Sequence, residues 1–153
     1  MDISSLIEYE QSFPVHLKYP FPHEKAGEDT GIVFHIVSFD SERVVKAVKA
    51  VDGERIKMMF ESADKVITPE QYAELELKYE KVRAAAAVVG WDWNGSEWAD
   101  LGADPVFSKE NVDKVINHRN AIWIRSQIIE AGVNIGNFFP ESVQPSQKPS
   151  KRK

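Results

Sequence analysis

The stretch VVGWDWNGSEWADLGADPVFSKENVDKVINHRNAIWIRSQII, residues 88–129, holds all four tryptophans of the chain. Trp91, Trp93 and Trp98 fall in a polar segment rich in turn residues, and Trp123 falls in a later apolar-periodic segment. Because each large aromatic side chain buries much apolar area, this concentration indicates where a core or a contact surface forms. The stretch predicts, in order, the end of a helix, a Trp-containing turn, a capped helix and an amphipathic helix.

The helix that leads into this stretch has the clearest start signal in the chain. Residues 68–71, Thr-Pro-Glu-Gln, supply an N-cap, a proline at the first helical position and a glutamine placed for a capping box. Apolar residues then recur at spacings of three and four from Tyr72 to Val89. Gly90 stands where a glycine commonly follows a helix, so the pattern predicts a helix that ends there.

Two more helices are predicted after the tryptophans. Ser108 is a suitable N-cap for a short helix whose inward face carries Val112, Val115 and Ile116. A further helix is predicted from about Asn120 to Ala131, and Gly132 is interpreted as a turn glycine that stops it.

The N-terminal part of the chain predicts two strands and a helix. Phe13 to Tyr19 alternates apolar and polar residues, and Ile32 to Val37 is rich in β-branched residues, so both segments are interpreted as strands of an antiparallel pair. Ser41 is a suitable cap for a valine-striped helix, which residues 52–53, Asp-Gly, are expected to end or kink.

These elements predict an α+β fold in which a small N-terminal antiparallel β-hairpin packs on three to four helices. Residues 1–139 are interpreted as a single globular domain. Residues 140–153 are polar and contain prolines, so they are predicted to form a disordered basic tail.

Composition excludes several classes of function. The net charge is −5, divided as about −8 on the body and +3 on residues 141–153, which argues against a nucleic-acid-binding face. The chain has no cysteine, which excludes disulfides and thiolate chemistry. It shows neither a signal peptide nor a run of apolar residues long enough to span a membrane. A cytoplasmic protein is the default expectation.

The most suggestive ligand motif is the run from Asp92 to Ser96, because alternating Asp, Asn and Ser resemble the start of an EF-hand calcium loop. The positions that define the geometry of such a loop are occupied by Glu97 and Ala103 instead of glycine and glutamate. The same residues are common in turns, and the four histidines show no paired spacing, so no metal or cofactor is predicted.

The tryptophans leave two interpretations open, a core and a surface that binds a partner. We expect Trp91 to be the most buried of the three in the turn, with Trp93 or Trp98 partly exposed. The candidate partner-binding residues are therefore Trp91, Trp93, Trp98, Phe138 and Phe139.

The chain resembles the tail assembly chaperones of long-tailed bacteriophages, in a pattern that covers about two thirds of its length. The matching features include Val89-Gly90-Trp91 closing a helix, Phe107-Ser108 with Glu110-Asn111, Trp123-Ile124 with Ile128, and Phe138 before a polar tail. More loosely, they include the segment from Gly31 to Phe34 and Asp40-Ser41 opening a helix.

The resemblance implies a protein that is not an enzyme and that works in the host cytoplasm. It implies binding to the tape measure protein and to tail tube subunits before the tail polymerises, and it leaves homo-oligomerisation open. In that family a longer product is often made by ribosomal frameshifting near the end of the shorter one. The alternatives are a minor tail or tail-completion protein and, from another class, a small hydrolase or ligand-binding enzyme using Asp92, Asp100 and His118.

Overall fold

The computed structural model describes residues 3–61 and 68–140. Its strands and α-helices are β1 (Phe13–Lys18), β2 (Asp29–Ile36), α1 (Glu42–Glu61), α2 (Pro69–Ala87), β3 (Val88–Asp92), α3 (Lys109–Ile116) and α4 (Ile122–Val133). Short 3-10 helices lie at Ile3–Ser5, Ala99–Leu101 and Ile135–Phe138. The predicted α+β fold class is confirmed. The predicted disordered tail lies outside the described residues, except for Pro140.

Strand β2 lies at the centre of an antiparallel sheet whose order is β1-β2-β3. The predicted hairpin of β1 and β2 is confirmed, with Val15 opposite Phe34. Strand β3, which the sequence did not predict, pairs with the other side of β2 and sets Trp91 opposite Phe34. Because residues directly opposite each other share a face of the sheet, these three side chains lie on one face. Val15 and Phe34 are buried, so this face meets the core.

Strand β3 takes the place of the helix end that the sequence predicts. Helix α2 ends at Ala87, and Val88 is already extended, with φ −75° and ψ 120°. The prediction for Gly90 is therefore wrong, because this glycine lies within the strand, opposite His35. The β-branched Val88 and Val89 favour extended backbone, and pairing with β2 buries Val88 almost completely.

Helix α1 runs without interruption through Asp52 and Gly53, where the sequence predicts an end or a kink. A glycine inside a helix costs about 1 kcal/mol relative to alanine, which is too little to end a helix that packs on a neighbour. Helix α1 packs mainly against α2. Its buried residues are Val44, Val48 and Val51, so its second half contributes no buried residue to the core.

The predicted starts of α2 and α3 are both confirmed. Thr68 Oγ1 accepts a hydrogen bond from the backbone N–H of Gln71 at 3.2 Å, and Gln71 Oε1 accepts one from the backbone N–H of Thr68 at 3.0 Å. This reciprocal pair is the predicted capping box. Ser108 Oγ accepts from the backbone N–H of Asn111 at 3.1 Å. The buried residues of α3 are the predicted ones, Val112, Val115 and Ile116.

Helix α4 continues to Val133 and therefore includes Gly132, so the prediction of a turn glycine there is wrong. The ring of Phe39 lies directly against Gly132, and a Cβ at this position would clash with the ring atoms. The backbone N–H of Phe39 also donates to the carbonyl of Gly132 at 3.0 Å. Gly132 thus allows the close approach of α4 to the segment that joins β2 to α1.

The core lies between the buried face of the sheet and the helices. Its largest fully buried side chains include Trp93, Phe34, Phe138, Leu17, Ile36, Ile116, Ile124 and Ile128. Among the described residues, no helix combines the length and the apolar character needed to cross a membrane.

Candidate protein-binding surface

The three tryptophans after α2 form a chain of aromatic contacts. The ring centroids of Trp91 and Trp93 are 5.5 Å apart, and those of Trp93 and Trp98 are 6.0 Å apart. Phe107 extends the chain beside Trp91 at 5.5 Å, and His118 extends it beside Trp98 at 5.3 Å. Such contacts add to the stability gained by burying the rings, so this row of aromatic contacts stabilises the packing of residues 91–118 on the core.

The order of burial among these tryptophans differs from the prediction. Trp93 is only 2% exposed, whereas Trp91 and Trp98 are half-buried. The reason is that Trp93 follows directly after β3 and its ring packs against Phe34, at a centroid distance of 5.7 Å. Trp93 therefore belongs to the core and is not accessible to a partner in this fold. For Trp91 and Trp98, partner binding stays a prediction.

The polar residues between the tryptophans form a tight turn. Asn94 and Gly95 have φ values of 48° and 86°, and the backbone N–H of Ser96 donates to the carbonyl of Trp93 at 2.9 Å. Positive φ at both central residues defines a type I′ turn, for which Asn-Gly is a favoured pair. The carboxylate of Asp92 accepts from the backbone N–H of Asn94 at 3.0 Å. Within residues 3–61 and 68–140, no group of three or more His, Asp or Glu side chains could hold a metal ion.

The residues of the alternative enzyme hypothesis take part in local structure or lie outside the two grooves that adjoin the helices. His118 Nδ1 accepts a hydrogen bond from the backbone N–H of Asn120 at 3.0 Å. The Asp92 carboxylate belongs to the turn. Neither groove is lined by Asp92, Asp100 or His118. A cleft that joins these three side chains, which the hypothesis requires, is therefore not found at either groove.

Phe138 and Phe139 differ in accessibility. Phe138 is fully buried and its ring meets Phe13 edge-on, with centroids 6.0 Å apart. Its carbonyl accepts a hydrogen bond from the backbone N–H of Glu8, so this residue joins the two ends of the described fold. Phe138 is thus a core residue and not an accessible one, while the half-buried Phe139 keeps part of its surface.

An exposed apolar row lies on the second half of α1, which the sequence analysis did not single out. Ile56, Met59 and Phe60 are 54%, 60% and 77% exposed. Because positions i, i+3 and i+4 lie on one side of a helix, these three side chains form a single row, here called the α1 row. The spacing of these residues is visible in the sequence. Because an end or kink was expected at Gly53, it was not interpreted as one face of a continuous helix.

Side-chain contacts between α1 and α2 fix the position of the α1 row. Lys78 Nζ lies 2.7 Å from Glu54 Oε2, and Arg55 Nη1 lies 3.7 Å from Glu76 Oε1. The Arg55 guanidinium also lies over the Tyr79 ring, 5.7 Å from its centroid. Each exposed ion pair contributes little stability by itself. Together they hold the two helices side by side where α1 buries no residue in the core.

Two grooves adjoin the helices. The larger, here called the α2 groove, has a volume of about 430 Å³ and is lined by residues of α2, by Phe39 and by Ile129 of α4. The smaller, of about 240 Å³, lies beside β1 and is lined in part by Val15 and Gln127. The Gln127 amide bonds to both the backbone N–H and the carbonyl of Lys18, so this part of the sheet edge is already occupied.

Comparisons with protein-family models, with curated proteins and with solved structures each found no match for this chain. The function is therefore argued from the residues and their geometry.

Proposed function

We propose that this protein is a non-enzymatic assembly chaperone of bacteriophage tails, which binds the tape measure protein and tail tube subunits in the host cytoplasm. The observation that carries the proposal is the α1 row of Ile56, Met59 and Phe60. A contiguous exposed apolar surface on a soluble protein is typical of a site that binds another protein. A chaperone of this kind needs such a surface to cover apolar segments of its clients before they assemble.

The sequence resemblance and the α1 row support the proposal in different ways. The residues that carry the resemblance lie largely in the sheet and in α3 and α4, here called the frame. Val89 and Trp91 are in β3, Ser108 caps α3, and Ile124 is buried in α4. The α1 row lies outside this frame on a helix whose second half adds nothing to the core. We therefore assign the sheet with α3 and α4 to the scaffold and the α1 row to the contact surface.

The proposal is tested by co-expression with the product of the neighbouring gene expected to encode the tape measure protein, which should be very long and helical. We expect the two proteins to purify as a complex. Replacing Met59 and Phe60 together by Gln should weaken the complex about tenfold or more, because both side chains would be buried in it. Ile122→Gln is the matched control, since Ile122 is 64% exposed on a different helix, and it should leave binding unchanged.

Two results would contradict the proposal. One is that the tape measure protein neither binds this protein nor becomes more soluble when the two are co-expressed. The other is the recovery of this protein in stoichiometric amounts from finished tails, which would identify it as a minor tail or tail-completion component instead. Circular dichroism of each variant establishes that any loss of binding does not come from unfolding.

A further inference from the structure

The apolar surface of the α1 row continues onto the start of α2. The two helices are packed neighbours joined only by residues 62–68, so they run antiparallel. Arg55 Nη1 lies 3.7 Å from Glu76 Oε1, which sets the level of one helix against the other. Because residues four apart lie on one side of a helix, Met59, four after Arg55, stands beside Tyr72, four before Glu76. The α1 row and Tyr72 therefore form one surface, here called the hairpin patch.

The hairpin patch is large enough for an interface between two proteins. Tyr72 is 53% exposed, and each residue of the α1 row is more exposed than that. A fully exposed large side chain offers roughly 200 Å² of surface, so the four side chains together expose roughly 500 Å². Two such patches in contact bury roughly 1,000 Å², which is about the smallest area of a specific protein–protein interface.

The charged side chains beside the hairpin patch are already paired within the molecule. Every charged side chain of α1 from Asp52 to Glu61 lies within 4 Å of an opposite charge on α1 or α2. A strongly charged partner therefore gains no net attraction from this part of the surface. The patch instead favours a partner whose contact surface is apolar and whose own neighbouring charges are balanced. A second copy of this chain presents exactly such a surface, of the same size.

We propose that the hairpin patch binds a second copy of this chain in a twofold symmetric dimer when no client is bound. A twofold contact uses the same patch on both copies, so the middle of the patch faces itself. Met59 is in the middle, with Ile56 and Phe60 beside it on α1 and Tyr72 beside it on α2. It therefore faces Met59 of the second copy.

The size of the contact sets the strength of the dimer. An interface of roughly 1,000 Å² is at the small end of the range, where complexes are weak and exchange readily. The dimer needs no client, so this inference goes beyond the proposed function. Because both contacts use the α1 row, a client that covers the row displaces the second copy.

Sedimentation equilibrium of the full chain, from about 1 to 500 μM, tests the dimer. We expect a monomer–dimer equilibrium with a dissociation constant on the order of 10 to 100 μM. Met59→Glu and Met59→Lys should each raise this constant at least about tenfold, because like charges then meet at the twofold axis. An equimolar mixture of the two variants should associate at least about tenfold more tightly than either variant alone, because opposite charges then meet.

The control variant carries the same charge on a different helix. Ile122 is 64% exposed on α4, so Ile122→Glu should leave the dimer unchanged. Met59 is exposed and not part of the core, so its variants should stay folded, which circular dichroism checks. Three results would overturn the proposal. They are a chain that stays monomeric at the highest concentration, a dimer that Met59→Glu leaves intact, and a mixture that associates no more tightly than the separate variants.

The same measurements separate this inference from the proposed function. If the chain is monomeric while the tape measure complex depends on the α1 row, the dimer proposal fails and the chaperone function stands. If the Met59 variants behave as expected but the tape measure protein does not bind, the dimer proposal stands and the function fails. Dissociation of the dimer by the tape measure protein would support both.

Discussion

At the scale of single residues, Gly53 and Gly132 both lie inside helices but have different surroundings. Gly53 of α1 is exposed, and apart from its chain neighbours and the nearby backbone of its own helix no heavy atom lies within 4 Å of the position that a Cβ would occupy. Gly132 of α4 faces the ring of Phe39, which leaves no room for a Cβ. The first glycine therefore only lowers helix stability, whereas the second is needed for packing.

Substituting alanine at these two positions should have effects of opposite sign. Gly53→Ala should raise the free energy of unfolding by about 0.5 to 1 kcal/mol, because alanine favours the helix. Gly132→Ala should lower it by about 1 to 3 kcal/mol, because the Phe39 ring or α4 must move to accept the methyl group. Urea denaturation of both variants measures these changes. A stabilising Gly132→Ala would show that Phe39 does not pack against α4 as described.

At the scale of elements, the parts that the sequence predicted correctly are those fixed by local signals. The capping box of Thr68 and Gln71 and the cap at Ser108 each depend on residues three apart. Strand β1 shows the apolar alternation of a half-buried strand within six residues. The caps lie within one turn of the helices that they start, and the alternation of β1 is itself a local pattern, so the sequence carries these signals directly.

The elements that were predicted wrongly depend on distant partners. Val88 to Asp92 form a strand because β2 lies beside them, more than fifty residues earlier in the sequence. Helix α1 continues past Gly53 because it packs against α2, a contact that the local sequence does not show. Among the candidate site residues, Trp93 and Phe138 are buried and contact Phe34 and Phe13, which spacing alone does not reveal.

Alanine substitution at Gly90 tests whether this residue lies in strand β3 or ends helix α2, and substitution at Gly95 provides a comparison at a positive φ. Gly90 lies in β3 with His35 Cδ2 at 3.8 Å from the position of an added Cβ, an ordinary contact distance. Gly90→Ala should therefore leave the free energy of unfolding unchanged or raise it by up to about 1 kcal/mol. Gly95→Ala should lower the free energy of unfolding by more than about 1 kcal/mol, because φ is +86° at this residue in the type I′ turn. Thermal melting of both variants tests this, and a destabilising Gly90→Ala would favour the helix end.

At the scale of the whole molecule, some large apolar side chains close the core and others remain exposed. Trp93, Phe34 and Phe138 close the core on the sheet. The second half of α1 presents Ile56, Met59 and Phe60 outside it. Burial of each of these side chains contributes about 1.5 to 3 kcal/mol, so a partner that covers the row would gain that contribution. The α1 row is the surface through which we propose that the molecule binds a partner.

We expect the folded body to end close to Phe138. Phe138 is fully buried and its carbonyl holds the backbone of Glu8, whereas the sequence of residues 141–153 is polar and predicts no contribution to the core. A chain ending at Pro140 should therefore keep the melting temperature of the full chain. In a chain ending at Asn137, the free energy of unfolding should fall by about 3 to 5 kcal/mol, because the Phe138 ring is missing from the core. Binding of the tape measure protein by the Pro140 variant should weaken only at low salt, where the lost lysines and arginine would otherwise attract an acidic partner. A large drop in melting temperature for the Pro140 variant would show that residues 141–153 pack on the body.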